Sequence, residues 1–263
     1  MGIRFAVHEG VRIAYDEQGG NAPPLVFIHG YRMRGALWEP VCRRLSHCYR
    51  TLLVDLRGNG ASERPPRGYG LEEFAGDVLA VLKDAGLSQA VMVGHSMGGT
   101  VAEYLMAYHP DSVTAAILVA PVPPSGVEMP EAVLSVFRRS ITEEPVLRNL
   151  YQGSVARPEV IDDLCALSRT ADPRAAYESL DAWRLARFAD RFDGCPIPAL
   201  VVAGAEDHFF PEDFLRREVL ARLKHGRLTV VSSAGHFIPR EQPERLAGLI
   251  QEFVDELLRP TGS

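Results

Sequence analysis

Cysteine is scarce in this sequence, and its cysteines are not spaced as pairs. Cys42, Cys48, Cys165 and Cys195 form no C-x-x-C motif, and no matching set of histidines accompanies them. Structural zinc sites and disulfide-stapled secreted domains both need such groupings. We therefore interpret the four cysteines as free thiols and expect no metal site.

Positive charge is not in excess either. Lys and Arg number 28 against 34 Asp and Glu, which gives a formal net charge of −6, and like charges form no block. Proteins that bind nucleic acid rely on a basic field to neutralise phosphates. The composition therefore argues against a nucleic-acid partner.

Long hydrophobic segments are also missing. Nothing approaches the roughly 18 apolar residues of a spanning helix, and residues 1–20 lack the basic start and apolar run of a signal peptide. We expect no membrane association and a cytoplasmic location. With 263 residues, of which 46% are hydrophobic, the chain can bury one substantial core and a small insertion.

Apolar runs alternate with segments of helical period along most of the chain. Two alternating segments, 3–10 and 11–20, predict an antiparallel hairpin, and continuous apolar runs follow at 25–30, 50–58, 90–96, 115–121 and 199–207. Helical periodicity occurs at 36–46, 71–86, 97–108 and 243–258. Buried strands separated by helices predict an α/β fold with a mostly parallel, doubly wound sheet.

The alternation stops once, between residues 121 and 195. Helical stretches at 130–139, 143–152, 158–169 and 173–189 lie there, and we find no convincing buried strand among them. Residues 1–120 and 196–263 are thus predicted to form the core, and 121–195 a helical insertion. Such an insertion is either a lid over a site or a solvated decoration.

The segment VMVGHSMGG, residues 91–99, crowds small residues around Ser96. Gly-Ser clusters are common in ordinary turns. The alternative is the G-x-S-x-G turn, in which Gly94 and Gly98 allow a strained strand-to-helix corner that exposes a nucleophilic serine. The motif alone leaves both readings open, so a base and an acid must be sought elsewhere.

Asp207 and His236 each follow a predicted strand, where functional groups gather in a parallel sheet. Taken alone, Asp207 is better explained as a helix N-cap, and a lone loop histidine is usually solvent-exposed and without a role. The order Ser96, Asp207, His236 is the order of nucleophile, acid and base on this type of sheet. That order favours a catalytic triad.

Two backbone N–H groups are candidates for stabilising a developing oxyanion. Met97 follows the predicted nucleophile at a helix start, and Tyr31 follows the strand at 25–30. His29 is interpreted as structural, because His236 fills the position of the base better. His95 is interpreted as structural as well, because a strained turn at Ser96 would point it elsewhere.

Five short motifs, read together, resemble the landmarks of the α/β-hydrolase superfamily in order. They are HGY at 29–31, DLRGNGAS at 55–62, GHSMGG at 94–99, GAEDHFFP at 204–211 and AGHFIPREQP at 234–243. The resemblance implies an α/β-hydrolase fold with a sheet of about eight strands, and a helical cap inserted before the penultimate core strands. It also implies the triad Ser96–His236–Asp207 and an oxyanion hole at Tyr31 and Met97.

Within the superfamily the sequence is similar to small esterases, thioesterases, C–C hydrolases and haloperoxidase-like perhydrolases. Epoxide hydrolases and haloalkane dehalogenases differ, since they carry Asp at the position of Ser96.

These residues predict a serine hydrolase that forms an acyl-enzyme on Ser96 and needs no cofactor. A small ester, thioester or lactone is the expected substrate, with C–C hydrolysis, perhydrolysis or a non-catalytic binding protein as alternatives. Arg32 and Arg34 are candidates for holding an anionic group, or belong to a solvated loop. Phe137, Trp183 and Phe188 either line an apolar pocket or form the core of the insertion. The oligomeric state stays open.

Overall fold

The fold is described from a computed structural model, which covers residues 2–20 and 23–259. The strands are β1 (Ile3–His8), β2 (Val11–Gln18), β3 (Pro24–Ile28), β4 (Arg50–Val54), β5 (Ala90–His95), β6 (Val113–Val119), β7 (Ala199–Gly204) and β8 (Gly226–Val231). The helices of the core are α1 (Glu39–Leu45), α2 (Leu71–Asp84), α3 (Met97–Tyr108), α9 (Glu212–Glu218), α10 (Ile238–Glu241) and α11 (Pro243–Leu258). Between β6 and β7 lie α4 (Glu131–Ser140), α5 (Glu144–Gln152), α6 (Ile161–Ser168), α7 (Pro173–Arg184) and α8 (Ala189–Phe192).

The strands form one sheet of eight in the order β1-β2-β4-β3-β5-β6-β7-β8. The hairpin β1–β2 is antiparallel, as predicted, and β2 joins β4 in antiparallel register. The remaining pairings, from β4 to β8, are parallel. Parallel strands place all their carboxyl ends at one rim, so the loops after β3, β5, β7 and β8 meet there.

Both faces of the sheet are buried, which explains the continuous apolar runs. In β3, Val26 and Ile28 belong to the core cluster that contains α2 and α3 side chains. Leu25 and Phe27 point to the opposite face, into the cluster formed with α1 and α11. Helices therefore cover both faces, as expected of a doubly wound sheet.

The helical stretches of 121–195 lie where the sequence predicts them, with one difference. The stretch 173–189 is predicted as continuous, but α7 ends at Arg184 and a short α8 begins at Ala189. Between α7 and α8, the backbone is hydrogen-bonded to the loop after β6 instead of continuing the helix. The Arg184 carbonyl accepts from the Val127 N–H, and the Phe188 N–H donates to the Pro124 carbonyl. Helical periodicity does not reveal such a competing partner.

The described part of the chain also bears on the predicted absences. All four cysteines are free, as predicted. Within residues 2–20 and 23–259 we find no group of three or more side chains that could hold a metal ion. Among these residues, helices that are long and apolar enough to span a bilayer do not occur.

Candidate active site

Ser96 stands on the sharp corner between β5 and α3. Its backbone has φ 53° and ψ −120°, a conformation that non-glycine residues rarely adopt. The corner is possible because its neighbours lack side chains. A Cβ on Gly94 would lie 2.2 Å from the Gly98 carbonyl oxygen, and one on Gly98 would lie 2.3 Å from that of Ile28. The two glycines therefore let the corner close and let α3 approach β3.

The loop after β3 reaches the same corner. A Cβ on Gly30 would lie 3.1 Å from the Cβ of Ser96, so the loop passes directly beside the predicted nucleophile. His29 fixes this loop: its Nδ1 donates to the Gly30 carbonyl and its Nε2 accepts from the Leu56 N–H. Burial lowers the pKa of His29, which keeps the ring neutral. The structural role predicted for His29 is thus confirmed.

Two backbone amides of the loops that meet at this corner are predicted to bind an oxyanion. The Tyr31 N–H and the Met97 N–H donate no hydrogen bond within the described ranges 2–20 and 23–259. Met97 is the first residue of α3, where the helix leaves amides free and its dipole favours negative charge. The two amides predicted for an oxyanion site thus have no acceptor among the described residues, and their role as oxyanion donors stays a prediction.

Asp207 and His236 form a buried pair. His236 Nδ1 lies 2.9 Å from Asp207 Oδ2 and donates to it, which leaves Nε2 free to accept a proton. Asp207 Oδ1 accepts from the N–H groups of Phe209 and Phe210. Burial alone would raise the pKa of Asp207, but His236 and the two N–H groups outweigh it, so the pKa lies below its usual range. Asp207 thus orients His236 and closes a turn at the same time. Its interpretation as a helix N-cap is wrong, because α9 begins only at Glu212 and its N-cap is Pro211.

The loop that carries His236 is anchored by two further residues. His95 Nε2 donates to the His236 carbonyl at 2.9 Å, which confirms the structural role predicted for His95. Burial lowers the pKa of His95 to about 3, with neighbouring His236 adding to the effect. On the other side, the His236 N–H donates to the Ser154 carbonyl at 2.7 Å. The loop is therefore held between the core and the segment 121–195.

Glu241 gives the same loop a buried anchor. Its carboxylate accepts from the N–H groups of Gly235 and Phe237 in the loop and from those of Ala156 and Arg157 in the segment 121–195. The side chain is fully buried, and burial raises the pKa of the carboxyl despite the opposing N–H groups. Glu241 connects the two parts of the chain beside His236.

A cavity joins these groups. It encloses about 610 Å³, counting its opening to solvent, and both Ser96 and His236 line it. Among the hydrogen bonds of the described residues there is none between the Ser96 hydroxyl and the His236 ring, whose bond is to Asp207. A bond between nucleophile and base often tightens only when substrate binds. The segment 121–195 contributes Val122, Met129, Phe137, Ser140, Leu147, Leu150, Tyr151, Ser154 and Trp183. The walls are mainly apolar, which suits an organic substrate with few polar groups.

The residues predicted to contact substrate divide into two groups. Arg32, Phe137 and Trp183 line the cavity. Arg34 and Phe188 do not, and the expectation for these two is corrected here. Arg34 lines a separate depression that contains Asp16, Glu39 and Asp55, because the chain turns at Arg32, whose φ is 57°. Phe188 follows the end of α7 and packs on the α3 tyrosines Tyr104 and Tyr108.

Sequence reasoning missed several residues around the cavity. Glu241 lies in the motif AGHFIPREQP, just before the predicted helix 243–258. A glutamate in such a place is usually explained by its favourable interaction with the helix dipole, so the sequence did not indicate its buried contacts. Phe209 and Phe210, directly after Asp207, line the cavity and pack on the His236 ring. Their position directly after a predicted catalytic carboxylate is the sequence feature that could have identified them as cavity residues.

The model of the Alpha/beta hydrolase family matches residues 25–249, and the chain therefore belongs to this family. It is 30% identical to a non-heme chloroperoxidase of Streptomyces lividans, over 77% of this chain and 81% of the relative. A bifunctional esterase/perhydrolase of Acinetobacter calcoaceticus is 26% identical over 94% of this chain and 97% of its own length. Among solved structures, Est816, described as an N-acyl homoserine lactone degrading enzyme, superposes with a TM-score of 0.85. It is 27% identical, with 95% of this chain and all of that chain covered.

Proposed function

We propose that the protein is a serine hydrolase that cleaves a small carboxylic ester, thioester or lactone through an acyl-enzyme on Ser96. One observation carries this proposal. A serine on a strained corner shares a cavity with a histidine that is oriented by a buried carboxylate, and the N–H groups of Tyr31 and Met97 have no acceptor among the described residues. The family and its esterase and lactonase relatives support the same class of reaction.

The chemistry follows from the residues. His236 Nε2 takes the proton of the Ser96 hydroxyl as the oxygen attacks the substrate carbonyl, and Asp207 stabilises the imidazolium that forms. The Tyr31 and Met97 amides bind the oxyanion, and the loss of one such donor typically costs about 3 to 4 kcal/mol of transition-state stabilisation. His236 then protonates the leaving group, and water hydrolyses the acyl-enzyme by the reverse sequence of proton transfers.

The segment 121–195 is proposed to act as a lid. Its side chains form much of the cavity wall, and its Ser154–Arg157 stretch is hydrogen-bonded to the His236 loop. An enclosed site excludes water and lets the shape of the wall select the acyl group. Residues 1–120 and 196–263 remain our boundaries for the core, and the cytoplasmic location stays a prediction.

Perhydrolysis is the second candidate, because a relative with 94% coverage of this chain is described as both an esterase and a perhydrolase. Hydrogen peroxide would then replace water as the acceptor of the acyl group. Both reactions share the acyl-enzyme, so the same variants affect both.

Labelling with a fluorophosphonate probe tests the proposal directly. The wild type should be labelled once and should hydrolyse members of an ester, thioester and lactone panel. Ser96→Ala should lose both properties, whereas Ser88→Ala, at an exposed position just before β5, should keep them. Turnover by Ser96→Ala at the wild-type rate would refute Ser96 as the nucleophile. An unlabelled wild type without turnover would refute the hydrolase and favour a binding protein.

A further inference from the structure

Arg32 is a buried cation in the wall of the cavity. Its exposed fraction is 7%, and the lining of the cavity contains no carboxylate. No ion pair involving Arg32 occurs among residues 2–20 and 23–259. A buried charge is normally compensated by a partner of opposite sign, because desolvation of an unpaired ion is costly. The fold therefore keeps a cation without a carboxylate partner in the cavity that the predicted nucleophile also lines.

The arginine is held in one orientation. Its φ of 57° lies in the left-handed region, which is uncommon for a long side chain, and the turn is closed by the Met33 N–H donating to the Gly30 carbonyl. Its Nη1 donates to the Ser140 carbonyl at 2.6 Å. Nε has no hydrogen-bond partner, and Nη2 makes no hydrogen bond in the described ranges. The Nε–Nη2 edge, which pairs with carboxylates in a bidentate manner, is thus unused.

Two other donors of the cavity wall also lack partners. The Tyr31 hydroxyl and the Trp183 indole N–H are both buried and have no hydrogen-bond partner in the part of the chain that the structure describes, and their rings lie 6.0 Å apart. A guanidinium and an indole only donate, and a hydroxyl can donate as well. Unpaired buried donors each cost free energy in the unliganded protein. Three such groups around one cavity match a ligand that is rich in acceptor oxygens.

We infer that the substrate carries a carboxylate, separate from the bond that is cleaved, and that Arg32 binds it. This inference rests on the proposed function and names its substrate class: esters, thioesters or lactones of acids that bear a second, ionised carboxyl group. A single guanidinium in mainly apolar walls matches one negative charge. A phosphate dianion would need further cations, which the cavity wall does not offer. Arg32 is thus a residue that determines specificity, whereas Ser96 and His236 carry the chemistry.

A matched pair of esters tests the inference by turnover. The p-nitrophenyl monoester of glutaric acid and p-nitrophenyl pentanoate have similar length and differ in one carboxylate. In Arg32→Met, kcat/KM for the glutarate ester should fall about 10- to 100-fold, and that for the neutral ester less than about threefold. Arg34→Met is the matched control and should leave the ratio of the two unchanged. An equal ratio in the wild type and Arg32→Met would overturn the inference.

Binding to Ser96→Ala separates this inference from the proposed reaction. Monomethyl glutarate and methyl pentanoate are titrated while the intrinsic fluorescence of the two tryptophans is followed, of which Trp183 lines the cavity. The charged ligand should bind at least about tenfold more tightly, and added salt should reduce that difference. Equal affinities would overturn the carboxylate site even if the esters are hydrolysed and even if Arg32→Met does not fold. Selective binding without any turnover would refute the hydrolase and keep the site. Tighter binding of a phosphate monoester of the same length would overturn the choice of carboxylate.

Discussion

The rim of the sheet and the helical segment 121–195 both line the cavity, but they are built in different ways. At the rim, backbone packs directly on backbone: a Cβ on Gly98, Gly204 or Gly94 would lie 2.1 to 2.3 Å from a carbonyl oxygen. In the segment, aromatic side chains pack on one another, such as Phe137 on Trp183 with ring centroids 5.9 Å apart. Such backbone contacts leave no room for an added side-chain atom, whereas packed side chains tolerate exchanges that conserve volume. The rim is therefore suited to chemistry and the segment to selectivity.

The strongest test of the rim concerns its carboxylate. Asp207→Asn should keep the fold, because an amide oxygen can still accept from Phe209 and Phe210. It should lower kcat by about four orders of magnitude, because the amide N–H₂ facing His236 disfavours the required tautomer. Steady-state kinetics and thermal unfolding measure the two effects, with Glu206→Gln at the adjacent exposed position as control. A loss below tenfold would show that another group orients His236.

Gly98→Ala tests the backbone contact itself. The added Cβ would lie 2.3 Å from the Ile28 carbonyl oxygen, so α3 or β3 must move. We expect destabilisation by about 3 kcal/mol and a loss of about 100-fold or more in kcat, since a shift of 1 Å at a reacting group has that effect. Gly248→Ala in α11 is the control: its Cβ meets nothing within 4 Å and should stabilise the protein by about 0.5 to 1 kcal/mol. Similar stability and similar kcat in Gly98→Ala and Gly248→Ala would refute the claim that direct backbone contacts position the reacting groups at the rim.

Glu241→Gln tests the junction of the two regions. The Glu241 carboxylate accepts hydrogen bonds from N–H groups of the His236 loop and of the segment 121–195. The glutamine side chain has a donor in place of one of the two accepting oxygens. Loss of charged hydrogen bonds should cost about 2 to 3 kcal/mol of unfolding free energy, and kcat should fall about tenfold. Glu244→Gln, which breaks only an exposed ion pair with Arg44, should change the unfolding free energy by less than about 1 kcal/mol. If kcat is unchanged while stability falls, Glu241 supports the fold without positioning His236.

The same contrast explains what the sequence could predict. The rim is encoded locally, by glycines at fixed distances from Ser96 and by apolar runs that end at Asp207 and His236, so its residues were predictable. The bounds of α3 and α11 agree with the periodicity to the residue. The walls of the segment 121–195 depend on which side chain faces which element across the fold. Arg32 and Arg34 are two positions apart, and only the backbone turn at Arg32 decides that the first one enters the cavity.

A pair of buried aromatic residues tests the selectivity of the segment. Trp183 lines the cavity and Phe188 does not, although both are at least nine-tenths buried. Trp183→Leu and Phe188→Leu should each cost about 1 to 3 kcal/mol of stability. Only Trp183→Leu should shift the preferred acyl chain length, by about 5- to 10-fold in relative kcat/KM, because it alone enlarges the cavity. A series of p-nitrophenyl esters of increasing length measures this shift, and the same shift in Phe188→Leu would contradict the separation of the two positions.

The smallest expected effect is a proton linkage at the rim. Burial lowers the pKa of His95 to about 3 and also lowers that of His29, so both rings are neutral in the folded protein. In the unfolded chain a histidine takes up a proton near pH 6.5, so below that pH the unfolded state binds more protons than the folded state. This stabilisation is present above pH 6.5 and is lost progressively as the pH falls towards 3. The Asp207 carboxylate, whose pKa is lowered, adds a loss only at more acidic pH.

His95→Gln should therefore flatten the acid side of the stability profile, while its amide N–H still donates to the His236 carbonyl. Between pH 7.5 and 5.5, the wild type should lose about 1 kcal/mol more unfolding free energy than this variant. Urea unfolding at the two pH values measures the difference, and His225→Gln, at an exposed position, should behave like the wild type. An identical loss in His95→Gln and the wild type would mean that His95 is solvated or protonated in the folded state. The rim would then be more open to water than its backbone contacts imply.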